Sequence, residues 1–177
     1  MGTVRPHTGR YVMMGVSGAG KSLIGPLFAR ALGVEFVDGD DLHPAENVAR
    51  MAAGIPLTDD DRRGWLLAIA ARLRAAKRAG IGLVVSCSAL RRSYRDVLRA
   101  AGDADVRFVY LAGSRALVAE RLAKRRGHFM PPTLLDSQFA ILEEPSRDER
   151  AWVCDIRETP QAIVADLVKR AAASDAA

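Results

Sequence analysis

Short apolar runs alternate along this chain with longer stretches in which apolar residues recur every three or four positions. The short runs are bounded by glycine, aspartate or charged residues, as buried strands of a parallel sheet commonly are. The longer stretches have the period of helices that pack one face on a sheet. This alternation is typical of successive βαβ units, and it predicts an α/β fold with a five-stranded parallel sheet and helices on both faces.

The segments predicted as strands are residues 11–16, 35–37, 83–87, 107–111 and 152–156. The segments predicted as helices are residues 21–32, 44–53, 60–79, 93–101, 115–126, 133–142 and 160–173. The extreme ends, residues 1–9 and 171–177, are expected to be frayed. No repeat or low-complexity linker divides the chain, so we expect a single domain over residues 1–177.

The chain has 177 residues, 49% of them hydrophobic, which is enough for one compact core without metals or disulfides. Cys87 and Cys154 lie far apart and form no CxxC pair, so neither a zinc site nor a disulfide framework is indicated. Cys87 is expected to be a small buried residue. No run approaches the roughly 18 apolar residues of a membrane span, and residues 1–10 lack the apolar core of a signal peptide. We expect a cytoplasmic protein with no membrane partner.

The net charge of +5 and the pI near 9.7 would suit an anionic partner, either a nucleic acid or a small substrate. The basic residues are interleaved with acidic ones and do not form a tract, and the chain carries no nucleic-acid recognition motif. A small anionic substrate and no nucleic-acid partner are therefore the expectation.

Residues 15–22 read GVSGAGKS and match the phosphate-binding pattern GxxxxGK[ST]. The motif follows a predicted strand and opens a predicted helix, which is the context in which such a loop binds phosphate. Lys21 would reach the β- and γ-phosphates, and the Ser22 hydroxyl would bind a magnesium ion that bridges them. Backbone N–H groups around the phosphates would come from the earlier positions Gly15, Ser17, Gly18, Ala19 and Gly20. The motif thus predicts ATP and Mg²⁺ as cofactors.

A second group of candidate residues follows the second predicted strand, where the chain reads DGDDLHP from Asp38. Ligands of open α/β sheets bind at the carboxyl ends of the strands, so these carboxylates should face the phosphate loop. Asp38 is the candidate for holding Mg²⁺ through water, and Asp40 for accepting the proton of an attacking hydroxyl. The alternative is a turn that only caps the next helix, a role that suits Asp41.

Longer blocks of the chain extend these two motifs. They read DGDDLHPAENVARMAAGIPLTDDDRRGWL, CSALRRSYRDVLR, FVYLAG and RGHFMPPTLLDSQFAILEEP, and with the phosphate loop they cover about residues 12–145. Together they resemble the gluconokinase family of P-loop small-molecule kinases, which is related to shikimate kinase. The resemblance implies ATP-dependent phosphorylation of gluconate to 6-phosphogluconate, which feeds the pentose phosphate pathway. It also implies a homodimer.

An open-chain sugar acid carries one carboxylate and several hydroxyls, so its site needs cations, hydroxyl partners and a base. By the resemblance, Asp40 and His43 would bind or activate acceptor hydroxyls, and Ser88 would meet the substrate or a metal-bound water. Positive charge for the carboxylate or the phosphoryl group would come from Arg50, Arg62 and Arg91. Each arginine has an alternative role in an ion pair on a charged helix surface.

The chain departs from the family pattern close to these arginines. Arg63 and Gly64 stand where the family often has proline before the tryptophan, and Arg50 and Arg91 stand where lysine is common. Positive charge is preserved by these departures. Trp65 is followed by two leucines, so it is expected to pack in the core and is not placed in the site.

Basic residues cluster at the end of the fifth predicted helix and run into a glycine and a Pro-Pro pair. This pattern predicts a mobile lid over about residues 124–136, which would close over ATP and exclude water. Arg125 is the candidate for contacting the transition-state charge, and Arg121 for lying along the adenine or the phosphates. The alternative for both is a helix-terminal cation that only offsets the macrodipole. His128 is placed with the acceptor-binding residues, and Gln138 would be structural or reach the substrate.

Other functions remain open on the residues alone. A kinase for another small hydroxy acid, such as shikimate, would also place an aspartate after the second strand. Nucleoside monophosphate kinases share the loop and the lid, but no base-recognition pocket is identifiable here. A nucleotide switch without turnover, or a basic nucleic-acid binder with strongly salt-dependent affinity, is a further alternative.

Overall fold

The computed structural model describes residues 7–102, 105–125 and 131–175. Its sheet consists of the strands β1 (Arg10–Met14), β2 (Glu35–Asp38), β3 (Leu83–Ser86), β4 (Val106–Ala112) and β5 (Trp152–Asp155). The spatial order is β2-β3-β1-β4-β5, and all neighbouring strands are parallel. The predicted five-stranded parallel sheet is confirmed.

The α-helices of the described ranges are α1 (Lys21–Leu32), α2 (Ala45–Ala52), α3 (Asp59–Ala79), α4 (Arg92–Gly102), α5 (Arg115–Lys124), α6 (Pro132–Ile141) and α7 (Pro160–Asp175). Short 3-10 turns lie at Gly39–Leu42 and Arg147–Glu149. Each helix corresponds to a predicted one, with ends displaced by two residues or fewer where both ends are described. Within the described residues, no helix is long and apolar enough to cross a membrane.

Two hydrophobic layers cover the faces of the sheet. On one face α1 and α7 pack through Phe28 and Leu167, both fully buried, against Tyr11 of β1. On the other face α3 and α4 pack through Ile69 and Leu98. Because all strands run the same way, the loops that follow β1, β2 and β3 emerge at one edge of the sheet. The predicted helices on both faces are confirmed.

The differences from the predicted boundaries have local causes. β1 ends at Met14 because Gly15 has a φ of 142° and Val16 already belongs to the phosphate loop. Asp41 does not cap α2, which corrects the expectation above: the N-cap is Pro44, with no side-chain hydrogen bond. The aspartate that acts as a cap is Asp38, and it caps the 3-10 turn: its carboxylate accepts a hydrogen bond from the Asp40 N–H.

Residues 7–9 and 171–175 belong to the segments that the sequence analysis expected to be frayed, and the structure describes both. The Leu83 N–H donates to the Gly9 carbonyl, and the His7 ring stacks on Tyr11. At the other end, α7 continues to Asp175 and Ala171 is completely buried. The described parts of both ends therefore pack on the domain.

Candidate active site

The phosphate loop, residues 15–22, connects β1 to α1. Gly20 is the N-cap of α1 with a φ of 107°, a conformation that L-residues with side chains rarely adopt. The N–H groups of Leu23 and Ile24 donate to the Gly20 carbonyl, whereas the first N–H groups of a helix have no partner within the helix. A helix N-terminus framed in this way is a binding site for a phosphate anion.

Lys21 is folded back onto the loop that precedes it. Its Nζ donates to the carbonyls of Gly15 and Val16, both at 2.9 Å. Burial lowers the pKa of Lys21, and the charges of Asp40 and Asp38 oppose that shift. These two carboxylates therefore lie within electrostatic reach of the lysine, as the sequence predicted for the ends of β1 and β2.

Asp38 is held firmly at the end of β2. Its Oδ1 accepts from the buried Ser86 hydroxyl at 2.8 Å and from the Asp40 N–H at 3.1 Å. Ser86 Oγ in turn accepts from the Gly39 N–H at 3.1 Å. A Cβ at Gly39 would lie 1.9 Å from the Ser86 carbonyl, so only glycine permits β2 and β3 to end this close together.

A cavity of about 100 Å³ lies beside the phosphate loop at the carboxyl edge of the sheet. It contains Ser17 and Lys21 of the loop together with Asp40 and His43 from the β2 junction. The other walls come from the 51–65 region, the loop after β3 and α6: Met51, Leu57, Arg62, Trp65, Ser88, Leu90, Leu134, Ser137 and Gln138. The phosphate loop and the candidate acceptor residues therefore share one cavity.

His43 stands on Trp65, with ring centroids 4.1 Å apart and planes inclined by 13°. Asn47 Nδ2 donates to the Asp61 carbonyl at 2.7 Å and lies 3.3 Å from His43 Nδ1. This arrangement makes Nδ1 the acceptor, so the neutral ring carries its proton on Nε2. Burial lowers the pKa of His43; Asp40 raises it and Arg62 lowers it further. His43 is thus a neutral, oriented side chain near neutral pH.

Trp65, which the sequence analysis did not place in the site, is one of the residues that line the cavity. It is 2% exposed and belongs to the core, as expected, but its ring also supports His43 and lines the cavity. Its indole N–H donates to the Gly39 carbonyl at 2.7 Å. The Trp65 side chain therefore joins α3 to the β2 junction. Asn47, four residues after His43, also supports the His43 ring, and the sequence analysis did not identify it.

The three arginines assigned to the acceptor separate in the structure. Arg62 lines the cavity, donates to the Leu57 carbonyl and lies over the Tyr94 ring at 5.6 Å. Arg50 instead lies 3.7 Å from Asp61, and Arg91 pairs with Asp59 at 3.2 Å. Neither Arg50 nor Arg91 is among the residues that line the cavity, so both match the ion-pair alternative in this conformation.

The loop after β3 reaches both the cavity and the phosphate loop. Ser88 lines the cavity, and its carbonyl accepts from the Gly15 N–H at 3.2 Å. Cys87 is 1% exposed, as expected, and burial raises its pKa to about 12, so the thiol stays protonated. Gln138 of α6 adds a further tie, because its Oε1 accepts from the Ser17 N–H at 2.7 Å.

The fifth helix lies against the phosphate loop. A Cβ at Gly18 would come within 2.8 Å of the Leu122 side chain, which shows how close α5 approaches. Arg121 donates to the Ile156 carbonyl, and Arg125 follows α5 as its C-cap and lowers the pKa of Lys21 by charge. His128 lies outside the described residues, as does part of the expected lid.

A second cavity, of about 340 Å³, lies at the opposite, amino-terminal edge of the sheet. Thr8, Arg10, Asp105 and Trp152 are among its lining residues, and none of the motif residues reaches it. Its greater size does not make it the catalytic candidate, because the phosphate loop opens at the other edge.

A phosphate loop whose lysine shares a cavity with an aspartate, an oriented histidine and an arginine defines a P-loop kinase of small molecules. The family model described as shikimate kinase matches residues 17–170. A gluconokinase of Gluconobacter oxydans is 44% identical over 93% of this chain and 92% of its own. The thermosensitive gluconokinase of Escherichia coli is 47% identical over 79% of this chain and 74% of its own.

A solved structure agrees with these relatives. The gluconokinase of Sinorhizobium meliloti superposes with a TM-score of 0.86 at 46% identity, and the match covers 95% of this chain and 94% of that one. The chain belongs to the gluconokinase family, within the broader group that the shikimate kinase model describes.

Proposed function

We propose that this protein transfers the γ-phosphoryl group of ATP to a hydroxyl of gluconate and forms 6-phosphogluconate and ADP. The observation that carries the proposal is the shared cavity: Lys21 of the phosphate loop and Asp40, His43 and Arg62 line the same space. Relatives named gluconokinase over most of the chain support gluconate as the acceptor.

On the nucleotide side, the N–H groups at the start of α1 would bind the phosphates. Lys21 would leave the carbonyls of Gly15 and Val16, which it occupies here, and place its ammonium group against the β- and γ-oxygens. The phosphate oxygens would then accept the hydrogen bonds that the Lys21 ammonium group here gives to the two carbonyls.

The oxygen donors near the loop fit a magnesium ion. Mg²⁺ usually takes one or two protein oxygens and completes its shell with phosphate and water. Ser22 in the first turn of α1 and Asp38 at the end of β2 would supply these contacts, and Ser86 holds Asp38 in place. When bound, the ion would neutralise charge on the β- and γ-phosphates.

On the acceptor side, Asp40 would accept the proton of the attacking hydroxyl. The hydroxyl oxygen forms a bond to the γ-phosphorus, the bond from phosphorus to the β–γ bridging oxygen breaks, and ADP leaves with that electron pair. Asp40 is exposed and lines the same cavity as Lys21, so its carboxylate is placed to act as the base.

The remaining side chains would orient the sugar acid. Arg62 presents a guanidinium whose position is fixed by Leu57 and Tyr94, and such a planar cation suits the gluconate carboxylate. His43 would donate its Nε2–H to an acceptor hydroxyl, because Nδ1 is engaged by Asn47. Ser88 would contact the same substrate, while Arg125 and the lid would close over the phosphates.

Arg50, Arg91 and His128 would also contact the substrate, but with a smaller contribution than Arg62. Arg50 and Arg91 would need to leave Asp61 and Asp59 to reach the substrate, so they are proposed to act only on closure. Arg121 would contact the nucleotide, since α5 lies against the loop at Gly18.

A coupled ADP-release assay with Mg-ATP tests the proposal. The acceptors are gluconate, shikimate, glycerate and AMP, and a reaction with water alone measures hydrolysis. We expect release with gluconate at least about a hundredfold above each alternative, because a site that hydrogen-bonds a substrate strongly rejects molecules that leave its polar groups unpaired. Equal release with shikimate or AMP would refute the acceptor, and release with water alone would indicate a hydrolase.

A homodimer completes the proposal and rests on the family resemblance alone. Light scattering after size exclusion, repeated over a range of protein concentrations, measures the mass directly. A mass equal to one chain of 19.1 kDa at all concentrations would contradict the dimer.

A further inference from the structure

Arg95 and Glu149 form an ion pair in the interior of the protein, outside the cavity. Arg95 Nε lies 2.6 Å from Glu149 Oε2 and Nη2 lies 2.7 Å from Oε1, which is a two-pronged contact. The side chains are 0% and 1% exposed. Taking two charges out of water is costly, so a pair this deep calls for a reason beyond stability.

The third prong of Arg95 leads towards the catalytic edge. Its Nη1 donates to the Ala89 carbonyl at 2.9 Å. Ala89 is completely buried and has a φ of 45°, in the left-handed region that an L-alanine adopts only under constraint. Arg95 is therefore a constraint on the residue at which the chain bends from β3 towards α4.

The residues on either side of Ala89 are working parts of the site. Ser88 and Leu90 both line the acceptor cavity. The Ser88 carbonyl accepts from the Gly15 N–H of the phosphate loop, and the Leu90 carbonyl accepts from the Glu143 N–H at 2.7 Å. A change in the bend at Ala89 would move a cavity wall and one anchor of the phosphate loop together.

We propose that Arg95 and Glu149 are positioning residues, which hold the Ser88–Leu90 bend so that the acceptor wall and the phosphate loop keep their catalytic spacing. Glu149 fixes the Arg95 guanidinium, and Arg95 fixes the Ala89 carbonyl. This inference rests on the proposed function for its catalytic half. The link from Arg95 to the phosphate loop does not depend on the proposed function, because nucleotide affinity alone tests it.

The surroundings of the pair determine which variant to use. Arg99 Nη2 also lies 2.6 Å from Glu149 Oε2, and Arg99 pairs with Asp96 on the same helix. Loss of Arg95 therefore leaves Glu149 with one cation, whereas loss of the Glu149 charge leaves two arginines facing each other. Arg95→Met is the milder break and keeps most of the side-chain volume.

Arg92→Met is the matched control. Arg92 lies on the same helix and pairs with Asp148 of the same 3-10 turn at 2.6 Å, but this pair is half exposed and does not reach Ala89. We expect Arg95→Met to lower kcat/KM for gluconate by about a hundredfold, since small displacements of reacting groups have effects of that order. Arg92→Met should stay within about twofold.

Two readouts separate positioning from loss of fold. All assays are run where circular dichroism and urea titration show each variant to be fully folded, and Mg-ADP affinity is measured by calorimetry beside turnover. We expect weaker Mg-ADP binding in Arg95→Met, because Ser88 would no longer hold Gly15 firmly. Adding Ala89→Gly should recover about tenfold in kcat/KM, since glycine adopts the left-handed bend without the constraint.

The outcomes decide between the two proposals. A folded Arg95→Met with wild-type turnover and Mg-ADP affinity would overturn the positioning role, as would an equal loss in Arg92→Met. If the wild type does not phosphorylate gluconate, the proposed function fails, and the Mg-ADP comparison still judges the link to the phosphate loop. If Arg95→Met does not fold, Arg95→Lys serves instead, because it keeps a cation beside Glu149 but loses the planar fork that also holds Ala89. The same pattern is expected, and the same results count against the proposal.

Discussion

The two halves of the site are built in different ways although they meet at Lys21. The phosphate half is one uninterrupted run between β1 and α1, residues 15–22. The acceptor half is assembled from the β2 junction, α3, the loop after β3 and α6. The conformation of the contiguous loop is set by its own glycines, whereas the position of the acceptor residues depends on how distant elements pack together. Substitutions should therefore abolish the first half outright and retune the second by degrees.

Lys21→Ala should give the largest effect, because it removes the one ammonium group in contact with the loop among the described residues. We expect kcat to fall by about a thousandfold, the upper range for losing a single preorganised electrostatic contact. Turnover is measured by ADP release. Lys169→Met, an exposed lysine of α7, is the control and should stay close to wild type. Substantial activity in Lys21→Ala would break the assignment of the phosphate half.

Asp40→Asn should give the next largest effect, and it should slow the phosphoryl transfer step without weakening nucleotide binding. The amide cannot take the hydroxyl proton, so we expect kcat to fall by about a hundredfold, the lower range for losing a general base. Mg-ADP affinity should be little changed, as calorimetry would show. Asp41→Asn is the neighbouring control, because Asp41 is exposed and not among the cavity-lining residues. Unchanged kcat in Asp40→Asn would assign the proton to another acceptor.

The same contrast explains how far the sequence could be interpreted. The alternation of apolar patterns predicted every strand and helix of the described ranges, because each buried face follows its own period. The phosphate loop was predictable residue by residue, because its function depends on local backbone conformation.

The supports of the acceptor half could not be predicted in this way, because they join residues distant in sequence. The Gln138 contact with Ser17 and the Arg95 pair with Glu149 depend on how helices pack on the sheet. Asn47 did leave a signal, since it stands one helical turn after His43 within the DGDxLHPxxN block. The dual role of Trp65 left none, because a core residue and a cavity wall have the same sequence pattern.

Arg62 and Arg91 offer a sharper test within the acceptor half. Arg62 lines the cavity, and Arg91 is tied to Asp59 outside it. We expect Arg62→Met to raise KM for gluconate by about tenfold or more, the scale of one hydrogen bond to a charged group, with a smaller change in kcat. Arg91→Met should raise KM by no more than about threefold, because Arg91 must first give up its ion pair with Asp59 to reach the substrate. Steady-state kinetics on both variants measures this, and an equal rise in KM would show that Arg91 moves into the site on closure.

His43 should give the smallest effect, visible in the pH dependence of stability. Burial lowers its folded-state pKa below the ordinary 6.5, so the unfolded chain binds the proton more readily than the folded one. Its contribution to stability is complete above pH 6.5 and declines as the pH falls from there towards the folded-state pKa. Once protonated, His43 Nδ1 could no longer accept the hydrogen bond from Asn47 Nδ2.

Urea unfolding of the wild type and His43→Gln, at several pH values on both sides of 6.5, measures this contribution. We expect the wild type to lose free energy of unfolding more steeply than the variant on acidification, because glutamine has no titrating group. Parallel curves would mean that the ring is not kept neutral by its stack on Trp65. The opposite slope would mean that Asp40 dominates the environment of His43, and that the acceptor half is organised around a charged pair.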